Sequence, residues 1–328
     1  MSRIDFAFNR RAFLSAMASA ALTLSVAASA QVAEKAVRFV LPNATGSGID
    51  TITRTVQPAL SRALGMPVVV ENQPGAGGIV GLQTLTRAAP DGTTLAVVSN
   101  NVVIFPSVIK SLPFELPGDI TPIAIVGFTP IVLVVNPRVP ANNAKEFVAL
   151  LKSQPGKLNY ASGGNGTILH LAAEMFLDEA GAKATHVPYK GVGPMVTDLL
   201  GGQVQFGTVA LPSVQQHLKS GALRAIGMGT AQRVPAAADI PTFVEQGMPG
   251  YVVEAWFAVI GPKVMAAADV KRVHDAIAAA FADPAVKDAM VKQGNVINVS
   301  TTEFAKDFFK TELVKYANMV KKAGVEAQ

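Results

Sequence analysis

The sequence predicts an α/β protein built on largely parallel sheets. Two observations carry that reading: short β-branched runs alternate with helix-periodic segments, and glycine-rich loops sit at the junctions between them. Length sets the scale, because 328 residues exceed what one core usually organises, so two domains of about 100–200 residues are expected. Half of the residues are apolar and 16% are charged, which excludes an intrinsically disordered chain.

Residues 1–30 read as an export signal and not as part of the fold. Arg10-Arg11 precedes an apolar run, Ala12–Ala28, that contains serines and a threonine and is a poor membrane span. The run ends in Ala28-Ser29-Ala30, a small-residue cleavage pattern, so the mature chain is expected to begin at Gln31. Asn9–Ser15 resembles a twin-arginine export motif without its usual first and last residues; a twin-arginine or a Sec route fits it. Losing Arg3, Arg10, Arg11 and Asp5 lowers the formal charge from +5 to +3.

Val37–Leu41 then reads as a strand, Pro42–Gly48 as a loop, and Asp50–Leu64 as a helix with Ile52, Val56, Leu60 and Leu64 on one face. Pro58 inside that helix predicts a kink or a break. Val68–Val70 is a second strand and Gln73–Gly78 a second glycine loop. A helix follows through Leu85 and stops before the turn signal Pro90-Asp91-Gly92. Thr94–Ser99 is a third strand. Ile120–Val135 reads as two apolar strands punctuated by prolines, and Glu254–Ile260 as a third of that kind. Lys157–Ala161, the loop Ser162–Gly166 and a helix through Phe176 repeat the earlier pattern. Asn143–Glu146 and Ser300–Glu303 resemble capping boxes at helix starts, and Phe304, Phe308, Tyr316 and Val320 form an apolar stripe on the last helix.

The chemistry is bounded by what is missing. There is no cysteine, which removes disulfides, thiolate zinc sites, iron–sulfur clusters and cysteine nucleophiles. The four histidines, His170, His186, His217 and His274, show no ligand spacing, so no metal site is expected. No Lys/Arg cluster is interleaved with aromatics, so nucleic acid is not an expected partner. Gly75–Val80 fails the dinucleotide fingerprint at Val80, and neither a phosphate-binding loop nor a G-x-S-x-G elbow occurs. No catalytic constellation and no cofactor are predicted. The positive signal is three strand-to-helix loops, Thr45–Gly48, Gly75–Gly78 and Ser162–Thr167. Helix starts carry unpaired N–H groups and partial positive charge, and ligands of open α/β sheets bind at the strand ends where such loops lie. An anion-binding cleft is expected there.

Several motifs in order add to this: Val69–Gly78, Ala89-Pro90-Asp91-Gly92, Leu158–Gly166, Val187–Gly191 and Asp198–Val204. Together they make nearly all of the mature chain resemble the tripartite tricarboxylate transporter solute receptors, also called Bug proteins. The resemblance implies a two-domain, type II-like periplasmic binding protein with a mostly parallel sheet in each domain. The apolar strands at Ile120–Val135 and Glu254–Ile260 read as the crossings, so residues 31–130 with 254–328 are expected as one domain, 131–253 as the other, and a cleft between them. The resemblance further implies a periplasmic receptor that hands a small carboxylate to membrane permease subunits. A ligand-loaded sensor is the alternative, and an enzyme on the same scaffold the third reading.

On this reading the ligand-binding residues are Thr45, Gly46, Ser47, Gly77, Gly78, Ser99, Asn100, Asn101, Ser162, Gly163, Gly164, Thr167 and Thr208, with none catalytic and none binding metal. Glycine and serine N–H groups would meet the carboxylate, hydroxyls would add donors, and Asn100 and Asn101 would orient the far end. Lys190 is a cation near a motif, or simply a turn residue. The family's frequent Asp near Thr208–Ala210 is missing, which disfavours an amino-acid ligand. Phe105, where relatives often carry Asn, points to an apolar or aromatic acid, or else belongs to the core.

Overall fold

The computed structural model describes residues 36–322, with 325 and 327. The expected export signal, its cleavage pattern and Gln31 lie outside the described residues.

β1 (Val37–Leu41) leads through a bend into α1 (Gly48–Leu64), where the Ser47 hydroxyl accepts the Asp50 N–H at 3.2 Å and Gly65 ends the helix in the left-handed conformation. α1 continues through Pro58, so of the kink or break expected there the break does not occur. Pro58 is on the exposed face, where the Arg54 carbonyl that loses its donor can turn to water. β2 (Val68–Asn72), a 3₁₀ turn at Ala76–Gly78 and α2 (Ile79–Thr86) follow. Then come β3 (Thr94–Ser99), α3 (Asn101–Val108) and β4 (Ile120–Val135). The middle of the chain adds α4 (Ala144–Ser153), β5 (Asn159–Ser162), α5 (Ile168–Ala180), β6 (Thr185–Pro188) and α6 (Val192–Gly201). It closes with β7 (Phe206–Ala210), α7 (Leu211–Lys219) and β8 (Arg224–Met228). The last part holds β9 (Glu254–Pro262), α8 (Ala267–Ala282), α9 (Pro284–Lys292), β10 (Val296–Ile297) and α10 (Thr302–Lys322).

Among the described residues the strands form one ten-stranded sheet in the order β2-β1-β3-β9-β4-β7-β5-β6, with β8 and β10 also paired to β4. The outer pairs β1–β2, β1–β3, β5–β6 and β5–β7 are parallel, as the strand–helix alternation predicts. The pairs made by β4 and β9 are antiparallel, so the sheet is mixed and not largely parallel. β4 is one sixteen-residue strand where two were expected. It pairs with β9 as far as Pro130↔Glu254 and with β7 from Ile131↔Ala210. Its prolines fit because Pro122 sits at a register shift and Pro130 at the change of partner, places where a missing N–H costs little.

Two apolar clusters fill the two sides of the sheet's helices, one around Phe39, Ile52 and Phe257 and a larger one around Phe147, Tyr160 and Phe206. Of the expected α10 stripe, Tyr316 and Val320 are buried and Phe308 packs against the core, while Phe304 is exposed. Ala305, Phe309, Glu312, Tyr316 and Val320 face inward, while Phe304 is 55% exposed and stacks on Phe308 with ring centroids 5.8 Å apart. Glu312 joins the buried face because its carboxylate accepts the Trp256 indole N–H at 2.7 Å.

Candidate functional site

Six helices begin around one cavity of about 410 Å³. Gly48 and Ile49 of α1, Asn101 of α3, Ile168 and Leu169 of α5 and Val192 of α6 line it, with Gly78 and Ala210, the residues that precede α2 and α7. First-turn N–H groups have no intrahelical acceptor, so these starts polarise the cavity positively. No Asp or Glu is in the lining, and Lys190 is its one cation among the described residues. The floor comes from adjacent strands: Ser99 of β3, Ala255 of β9, Thr129 of β4 and Ala210 of β7. The registers Ser99↔Phe257, Thr129↔Ala255 and Ile131↔Ala210 put these side chains on one face of the sheet.

The first loop is held from behind. Asp50 is buried, and its carboxylate accepts Gly46 N–H at 2.9 Å, Arg54 Nε–H at 2.8 Å and Asn72 Nδ2–H at 3.0 Å. Thr45 and Gly46 are exposed and outside the cavity lining, and the Ser47 hydroxyl caps α1. Of the expected residues in this loop, none lines the cavity; Gly48, next in sequence, does.

The second loop does line it, through Gly75, Ala76, Gly77 and Gly78. Gly77 has φ +69° and Gly78 φ +123°, a region closed to most side chains. A substitution at Gly77 therefore strains the backbone, whereas a negative φ would have tolerated it. A Cβ on Gly78 would also lie 2.9 Å from the Pro42 carbonyl oxygen. Phe105 is 1% exposed, lies beneath these glycines and is absent from the cavity lining, so it belongs to the core.

In the third loop Gly163, Gly164 and Thr167 line the cavity and Ser162 does not. The Ser162 hydroxyl is buried, 2.6 Å from His186 Nε2 and 3.2 Å from Gly164 N, whose hydrogen it accepts. Thr167 caps α5 and donates its hydroxyl to the Gly164 carbonyl at 2.8 Å. Beneath lie stacked rings: His186 is 4.8 Å from Tyr160 and 4.0 Å from His170, centroid to centroid. His170 Nδ1 accepts the Gly166 N–H at 3.1 Å, and the Tyr160 hydroxyl bonds the Glu174 carboxylate. Burial lowers the His170 ring to about 4, and burial followed by the neighbouring His170 lowers His186 to about 3. Both rings are neutral at neutral pH.

The two asparagines part company. Asn101 lines the cavity, with Oδ1 accepting the Ile168 N–H at 2.8 Å. Asn100 lies outside the lining and fully buried, bonded to the Tyr316 hydroxyl and accepting the Trp256 N–H at 2.9 Å. Thr208 is likewise buried outside the lining, donating to the Leu169 carbonyl. Ser99, Gly77, Gly78, Gly163, Gly164, Thr167 and Asn101 are thus brought together. Sequence reasoning missed Thr129 and the Ala210 end of β7; the signal for Thr129 was a lone hydroxyl in the apolar run Phe128–Val135.

A sequence model of the tripartite tricarboxylate transporter family receptor matches residues 52–325. Protein BugT of Bordetella pertussis is 32% identical over 292 residues, covering 88% of this chain and 90% of that protein. The solved structure of periplasmic binding protein BugD is similar with a TM-score of 0.85 at 31% identity, covering 89% of this chain and 99% of BugD. An R. palustris protein solved with adipate gives a TM-score of 0.86 at 25% identity, covering 89% of this chain and 98% of its own. On sequence and fold together, the chain belongs to the tripartite tricarboxylate transporter receptor family: it is a periplasmic solute-binding protein of the α/β binding-protein fold, and not an enzyme.

Proposed function

We propose that this receptor captures a small carboxylate in the cavity and delivers it to the membrane permease subunits of a tripartite tricarboxylate-type transporter. The observation that carries this reading is the convergence of six helix starts on a cavity whose lining holds no acidic residue among the described residues. A backbone N–H bond to a carboxylate contributes about 1.5–3 kcal/mol. Three or four of them, less the cost of ordering, reach about −8 kcal/mol, or micromolar binding. Gly77, Gly78, Ser99, Asn101, Gly163, Gly164 and Thr167 are the proposed contacts; Gly46, Ser47, Asn100, Ser162 and Thr208 brace the lining from outside it, and Thr45 is exposed outside it. Lys190, exposed at the rim, adds attraction at a distance. The adipate carried by the R. palustris relative supports the ligand class.

In this reading residues 31–130 with 254–328 form one domain and 131–253 the other, with the cavity between. The exchange of β4's partner from β9 to β7 between Pro130 and Ile131 supports that division. Segment 1–30 would direct export by a twin-arginine or Sec route and be removed before Gln31.

Thermal-shift screening of a carboxylic-acid panel, followed by titration calorimetry with the best acid and its methyl ester, tests the reading. The acid is expected to bind at least about tenfold more tightly than the ester, about 1.4 kcal/mol. Equal affinity, or no binding by any acid, overturns it.

A further inference from the structure

Asn101 is the first residue of α3 and lines the cavity. Its carboxamide has two unlike ends. Oδ1 accepts the N–H of Ile168, the first residue of α5, at 2.8 Å. An N–H can meet only an acceptor, so this bond decides which amide atom lies on α5 and which is left over. What is left over is Nδ2, whose two hydrogens have no partner among the described residues. Asn101 is 9% exposed, and its Nδ2, unlike the unpaired Thr129 Oγ1, keeps open surface. The residue behind it is fixed: Asn100 is fully buried, bonded to the Tyr316 hydroxyl and accepting the Trp256 N–H at 2.9 Å. In the loop that leads into α5, the Gly164 and Gly166 N–H groups are already taken by Ser162 and His170. Asn101 takes the Ile168 N–H as well, and returns a pair of side-chain donors in its place.

Building on the carboxylate reading, we propose that Asn101 is a specificity-determining residue whose carboxamide is locked by Ile168, so that it meets the ligand only as a donor. A free asparagine serves donors and acceptors alike by turning its amide over. Turning this one over would set two donors, Nδ2 and the Ile168 N–H, against each other. An ionised carboxylate is acceptor-only and suits the locked amide, and its bond to Nδ2 is charge-assisted. An amide or ammonium nitrogen at the same place meets N–H against N–H and is turned away. Discrimination between an acid and its isosteric amide then comes from one neutral side chain and the helix start that orients it, with no arginine.

The test is calorimetry on the mature chain with the straight-chain acids from butanoate to octanoate, the dicarboxylates from succinate to suberate and the primary amides of each, repeated on N101D and I168P. The wild type is expected to bind its best acid at least about tenfold more tightly than the matching amide. N101D keeps an oxygen for the Ile168 N–H and turns the other end into an acceptor. It is expected to weaken the acid by about a hundredfold or more while the amide changes less than about threefold, which reverses the preference. Ligand-free N101D is expected to melt at the wild-type temperature or above, because a carboxylate at the starts of α3 and α5 suits both helix dipoles. I168P removes the locking N–H at a first helical position, where proline is tolerated, and Thr167 before it is already extended. With its amide free to turn over, that variant is expected to lose at least about threefold of the acid-over-amide preference. A preference that both variants leave intact, or equal losses of acid and amide in N101D with a lowered melting temperature, overturns the role of Asn101 while the carboxylate reading stands. Failure of every acid to bind the wild type removes that reading and this proposal with it.

Discussion

Two loops that border the cavity, Thr45–Gly48 and Ser162–Thr167, hold their shape by opposite chemistry. Behind the first is a charge: the buried Asp50 carboxylate, gathered by Gly46, Arg54 and Asn72 and placed in the first turn of α1, where the helix dipole favours it. Behind the second are neutral rings: His186 stacks with both Tyr160 and His170 and is bonded to Ser162. The first loop is gathered on a carboxylate, and the second rests on rings that are un-ionised at neutral pH. Protonating His170 would cost the Gly166 N–H its acceptor and set two cations 4.0 Å apart if His186 followed. A helix start aimed at a ligand can therefore be braced by a paired carboxylate or by stacked neutral rings.

Asp50→Ala is the severest way to break the comparison, since it strips acceptors from a backbone N–H, an amide and a guanidinium at once. A loss of about 2–3 kcal/mol in urea unfolding is expected, with Asp50→Asn recovering part of it. An effect below about 0.5 kcal/mol would show that the loop stands without its carboxylate. The ring pair comes next. A histidine ring titrates near 6.5 in the unfolded chain and at about 4 and about 3 here. Between those values the unfolded chain binds protons that the folded chain refuses, so stability falls as pH drops from about 6.5 toward 4 and 3. Melting curves of a His170→Gln, His186→Gln double variant should be flatter across that window. An unchanged slope would move the acid response to other groups. Ser162→Ala is the gentlest probe: about 0.5–1.5 kcal/mol of stability from the lost His186 bond, with ligand affinity changed less than about threefold. A larger loss of affinity would put that hydroxyl on the ligand and sharpen the contrast with Ser47.

Local pattern carried the parts of this molecule that local physics decides. The i, i+4 spacing of Ile52, Val56 and Leu60 foretold α1, and the glycine loops foretold where helices begin because glycine adopts the φ of Gly77 and Gly78 with least strain. The antiparallel role of β4 and β9 was not legible, since an apolar strand reads the same whichever way its partners run. Asn100 and Asn101 are neighbours of one chemical type, and what separates them is supplied by Tyr316 and Trp256 on one side and Ile168 on the other, all distant in sequence. On α10 the expected Tyr316 and Val320 are buried, but the burial of Glu312 depends on Trp256, distant in sequence, and was not legible.

Pro130 and Glu254 are register partners, so the chain leaves for residues 131–253 and returns at points only about 5 Å apart. A stretch whose ends already meet closes no new loop in its host when it is exchanged. Recombination between related genes could swap that stretch as one cassette, giving the Gly48 and Gly78 helix starts a new opposing wall while β4 and β9 keep their pairing. Diversification of ligands would then proceed by inheritance of whole walls as well as by single substitutions.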